Sequence, residues 1–65
     1  MFIELYNLPR YYQIWDHDGI VHTYEGIVGE RRVLAPVHLQ LNETVSNAIN
    51  RLESDARGRG FASLP

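Results

Sequence analysis

The sequence has no cysteine. That removes a disulfide framework and any thiolate metal site. It also fits a reducing compartment, and a cytoplasmic location is expected. Lysine is missing too: all six cations are arginines, and the formal net charge is −2 at pH 7. A domain that holds nucleic acid mainly by charge is normally basic, so this one would need a local patch. No apolar run approaches the roughly 20 residues that span a bilayer, so no membrane role is expected. The opening MFIELYN shows no basic stretch followed by an apolar core, and so does not read as a signal peptide. The start at Met1 favours a free-standing small protein or an N-terminal domain. Internal repeats and low-complexity segments are also lacking.

What is present suits one small globular domain, residues 1–65, with 45% hydrophobic and 22% charged residues. A chain this short buries only about 60% of its unfolded surface and is marginal alone. Phe2 to Tyr6 alternates around Glu4 and reads as a strand. Asn7-Leu8-Pro9 is a turn, because proline restricts both itself and its predecessor. Tyr11 to Trp15, aromatic and β-branched, is a second strand. Asp18-Gly19 then marks a hairpin returning through Ile20 to Val28. Within that return, Gly26 suggests a bulge or a close backbone approach. Arg31 to Leu41 reads as extended, on an edge or broken at Pro36.

A helix follows, from about Glu43 to Arg57, with Asn42 as the expected N-cap. Val45, Ala48, Ile49, Leu52 and Ala56 share one face. Glu53 and Arg57 are spaced for an ion pair, and Gly58 is the expected left-handed stop. Phe61 should fold back onto the sheet. The architecture is thus α+β: a small antiparallel sheet of about four strands with one C-terminal helix across one face.

Little here points to catalysis. Ser46, Ser54 and Ser63 lie on the helix or in the tail, not in a nucleophile elbow. Gly58 and Gly60 follow a helix, whereas a phosphate loop would precede one. His17, His22 and the neighbouring Asp16 and Asp18 have the chemistry of a metal site, but Asp-His-Asp-Gly is equally good turn chemistry. No enzyme activity, cofactor or metal is expected. Tyr11, Tyr12, Trp15, Tyr24 and Phe61 are suited to stacking bases on an open sheet, and more commonly form the core under a helix.

Taken in order, several segments resemble the WGR domain, a family named for a Trp-Gly-Arg motif on a central strand. The likeness runs over nearly the whole chain. It rests on Tyr11-Tyr12-Gln13-Ile14, then Val21, Thr23, Gly26, Val28, Gly29 and Glu30, then Ala48-Ile49 and Leu52, and the closing Arg59-Gly60-Phe61. The resemblance implies a curved antiparallel sheet with a helix. It also implies a recognition role, since in DNA-dependent poly(ADP-ribose) polymerases the domain touches a DNA end and relays that contact to its neighbours. On the family pattern Glu25 takes the tryptophan position and Ile27 the arginine position, and only Gly26 of the motif remains. An unpaired carboxylate there would repel phosphate.

Two functions follow. One is a non-catalytic interaction module, contacting a protein partner or a second copy through Tyr24, Ile27 and a sheet edge, as an accessory of a nucleic-acid-associated system. The other is a direct DNA- or RNA-binding module using the arginine clusters Arg31, Arg32, Arg57 and Arg59. The candidate surface therefore comprises those four arginines with Tyr24, Glu25, Gly26 and Ile27.

Overall fold

The computed structural model describes residues 1–31, 35–37 and 42–64. The fold is α+β, in the order β1 (Phe2–Asn7), β2 (Arg10–His17), β3 (Ile20–Ile27), β4 (Ala35–Val37) and α1 (Val45–Gly58). β1, β2 and β3 form a three-stranded antiparallel meander. The three-residue β4 pairs with β3 from Val21 to Thr23. The expected sheet of about four strands is thus a three-stranded one with a short addition. Pro36 lies in that short edge strand, where its missing N–H costs least. The rest of the extended segment read from Arg31 to Leu41, residues 32–34 and 38–41, lies outside the described residues.

Both meander turns have two-residue loops. Leu8-Pro9 links Asn7 to Arg10 through a cis peptide bond. Asp18-Gly19 links His17 to Ile20 with φ of 50° and 77°. Positive φ at both central residues is what a type I′ turn requires, and it explains Asp-Gly there. No bulge forms at Gly26, which stays in register opposite Tyr11. The glycine is needed for another reason. A Cβ at this position would lie 2.6 Å from the Tyr24 ring, which folds over it.

The helix starts later than its sequence suggests. Thr44, not Asn42, is the N-cap: its hydroxyl accepts the Asn47 N–H at 3.1 Å. Asn42 instead takes φ 62°, and the Glu43 carboxylate grips Arg51 at 2.7 and 3.1 Å. The stop also moves. Gly58 is the last helical residue, and Gly60 carries the positive φ, 95°. Gly60 N–H donates to Arg57 C=O at 3.0 Å and Phe61 N–H to Ala56 C=O at 3.1 Å. Those two bonds make a Schellman motif, with Phe61 and Ala56 both buried beside it.

One face of the sheet meets α1. Leu5, Tyr12, Ile14 and Val21 project there and pack with Ala48, Ile49, Ala56 and Phe61. Val45 and Leu52, expected to be buried, only partly are, and flank this cluster. Phe61 does fold back onto the sheet, with its ring centroid 5.9 Å from that of Tyr12. Ala62 then pairs with Tyr6 through two backbone bonds of 2.7 and 2.9 Å, so the tail closes on β1.

Candidate functional site

Alternation along β3 divides the candidate strand between two faces. Glu25 and Ile27 project toward the helix side, opposite Tyr12 and Arg10. Tyr24 and Gly26 project to the other side, opposite Gln13 and Tyr11. Tyr24 and Ile27 therefore do not share a contact surface. Tyr24 is also buried, with its hydroxyl donating to the Arg31 carbonyl at 3.1 Å and its ring 5.4 Å from that of Tyr11.

Glu25 is not the unpaired acid its position suggested. Arg59 Nη1 donates to Glu25 Oε1 at 2.8 Å, and Arg10 Nη1 lies 3.5 Å from Oε2. The Arg59 guanidinium also sits 5.4 Å from the Tyr12 ring centroid and 5.3 Å from that of Phe61. These distances are within cation–π range. The hydrogen bond to Glu25 holds the Arg59 pKa above its ordinary value, against a smaller opposing effect of burial. Arg59 is thus a fastener between the helix end and the sheet.

The Arg57–Arg59 cluster is spent in a similar way. Arg57 donates to Glu53 at 3.0 and 3.2 Å and to the Ser63 hydroxyl at 3.2 Å. Arg51 holds Glu43. Arg31 is exposed, and Arg32 lies outside the described residues. All four arginines that α1, the residue after it and β2 contribute have a carboxylate partner within the chain.

The face turned away from the helix was not singled out from sequence. Two aromatic rows cross it. Trp15 stacks on His22 at 5.4 Å with Phe2 at 6.3 Å, and Tyr11 lies between Tyr6 at 6.5 Å and Tyr24 at 5.4 Å. Phe2 and Ile20 are 58% and 49% exposed, an apolar surface that α1 does not cover. Beside the Tyr6–Tyr11 pair is an open cleft of about 300 Å³, whose described lining is Glu4, Tyr6, Tyr11, Gln13, Val28 and Gly29.

Polar chemistry in that cleft is ordered. Glu4 Oε1 accepts the Tyr6 hydroxyl, and Gln13 Nε2 donates to Glu4 Oε2 at 2.5 Å. The bond to anionic Glu4 raises the Tyr6 phenol above its usual pKa, and burial adds to it. Gln13 is 8% exposed, and its Oε1 has no hydrogen-bond partner. Reversing the amide would only aim its oxygen at the carboxylate. Leaving such an acceptor unsatisfied costs about 1–3 kcal/mol. The sequence did hold a signal for this cleft: the tight Leu8-Pro9 turn places Glu4 and Tyr6 opposite Gln13 and Tyr11 on the same face.

His17 Nε2 lies 3.2 Å from Asp18 Oδ2 at the exposed hairpin tip, while His22 stacks on Trp15. Among the described residues no group of three or more His, Cys, Asp or Glu is placed to hold a metal ion. No helix among them is long and apolar enough to cross a membrane. Compared with known proteins, the chain matches no family model, no curated protein and no solved structure.

Proposed function

We propose that this chain is a small non-catalytic recognition module of WGR-like type that works mainly through protein–protein contact. The proposal sets it in the cytoplasm as an accessory of a nucleic-acid-associated system. One observation carries the reading: Arg10, Arg51, Arg57 and Arg59 are each paired with a carboxylate of the same chain. Phosphate would meet these cations with their charge already offset by a neighbouring carboxylate. The sheet face opposite α1, with exposed Phe2 and Ile20, supplies apolar contact surface without that cost.

Direct nucleic-acid binding is the second reading, favoured only by the exposed Arg31 at the start of the other arginine cluster. A titration against labelled duplex at about 50 and 200 mM salt separates the two, because phosphate contacts weaken steeply with salt. The interaction reading expects no steeply salt-dependent complex. It also expects self-association at high concentration to weaken in Ile20→Lys, measured by sedimentation. Tight duplex binding at low salt that is lost in Arg57→Ala/Arg59→Ala would overturn it.

A further inference from the structure

We propose that the chain associates end to end with a second copy of itself, the acidic hairpin tip at Asp18 of one molecule seating on the Arg10 end of another. This rests on the protein-contact reading and names the partner and the two patches that meet.

β2 and β3 are paired over their full lengths, from Arg10 opposite Ile27 to His17 opposite Ile20. Each strand has eight residues, so its ends lie roughly 24 Å apart at about 3.4 Å per residue. The two ends carry opposite charge. At the tip, Asp16 is held by the Met1 ammonium at 3.0 Å, whereas the Asp18 side chain is 85% exposed with His17 Nε2 at 3.2 Å. At the other end the Arg10 side chain is 57% exposed, and its 3.5 Å contact with Glu25 is the longest ion pair among the described residues. A carboxylate can accept about four hydrogen bonds and a guanidinium has five donors, so one such neighbour saturates neither.

Exposed apolar side chains accompany both charges. Phe2 and Ile20 lie toward the tip, opposite Trp15 and His17. Leu8 lies in the turn before Arg10, and Val28 is tied to that turn by its N–H bond to the Pro9 carbonyl at 2.9 Å. Both halves of an apolar contact edged by an ion pair are therefore on this one chain. The paired strands hold them apart, so they can meet only between molecules. The patches differ, which makes the contact heterologous. A nucleic acid would not be drawn to the tip, where Asp18 repels phosphate.

The test is sedimentation of the whole chain over a concentration series up to about 1 mM, which covers weak contacts. The parent is expected to self-associate, and less so as salt rises from about 50 to 500 mM. Asp18→Asn keeps a residue suited to the positive φ of the turn, and Arg10→Gln removes a long, exposed pair, so both should fold. Each should weaken association about fivefold. Arg10→Glu makes both ends acidic, and His17→Lys/Asp18→Asn makes both basic. Neither should associate alone, and an equal mixture should recover association, a result that misfolding does not give. Circular dichroism checks both folds. A parent still monomeric at about 1 mM, unchanged association in both neutral variants, or no recovery in the mixture of folded variants would overturn the inference. If the charge variants change nothing while Ile20→Lys still weakens association, the end-to-end contact falls and the protein-contact reading stands.

Discussion

Arg59 reaches back 34 residues to Glu25, donating at 2.8 Å from just beyond the helix to the third strand. Glu25 occupies the position where the resemblance places a stacking tryptophan. Here it gathers two arginines instead, Arg59 and Arg10. The local charge is then one net positive unit, held by an acid, and the surface is a staple between elements.

Removing the acid should release both cations. Glu25→Gln is expected to lower stability by about 0.5–1 kcal/mol, the range for partly exposed pairs. It should also raise low-salt affinity for duplex DNA, because Arg10 and Arg59 lose their counter-charge. Glu25→Trp with Ile27→Arg should raise it further by adding a ring and a third cation beside Gly26. Fluorescence anisotropy with a labelled duplex measures both. No gain in either variant would mean that this strand does not meet nucleic acid even when freed.

The helix face gives a graded prediction. Ile49 is 2% exposed, whereas Leu52 only flanks the core. Ile49→Ala should therefore cost roughly 2–4 kcal/mol and Leu52→Ala nearer 1–2 kcal/mol. Urea midpoints would rank them. An equal or reversed order would mean that Leu52 carries more of the helix–sheet contact than its exposure indicates.

Local patterns were legible because local physics sets them. The Asp18-Gly19 hairpin needs two positive φ angles, and few dipeptides provide them cheaply. The helix stripe and the return of Phe61 follow from where apolar residues must go. The helix ends were less legible, since Asn42 and Thr44 both cap well and Gly58 and Gly60 both stop helices. The bonds made at each end differ: Glu43 turns to Arg51, and the Schellman bonds to Arg57 and Ala56 place the positive φ at Gly60. Least legible was the pairing of Glu25 with Arg59, which no periodicity encodes. The cleft lay in view only once the register of β1 against β2 was known.

Gly26 should resist substitution because of Tyr24, not because of backbone strain. Its alanine Cβ would lie 2.6 Å from the tyrosine ring. That ring is buried, packed on Tyr11 and tied to the Arg31 carbonyl, so it cannot simply swing away. Gly26→Ala is expected to cost about 1–3 kcal/mol, as overpacked sites do. The cost should shrink in a Tyr24→Leu background, where the clash is gone. A double-mutant cycle by thermal melting measures this coupling. Additive effects would place the constraint in the backbone instead.

Alkaline pH should act through two phenols. Tyr6 is raised above 10.0 by its bond to anionic Glu4, and Tyr12 by burial, partly offset by its bond to Thr23. In both cases the folded chain keeps a proton that the unfolded chain gives up. Their contribution to stability is therefore fully present below about pH 10 and is lost as pH rises through the higher folded values. Urea midpoints should fall between roughly pH 9 and pH 11 for this reason. Glu4→Gln removes the leading cause at Tyr6, so one phenol of the folded protein should ionise at lower pH than in the parent. Ultraviolet phenolate absorbance reads that directly. An unchanged titration curve in Glu4→Gln would show that the Tyr6 hydroxyl is not held by the Glu4 anion, and the ordered acid at the floor of the cleft would go with it.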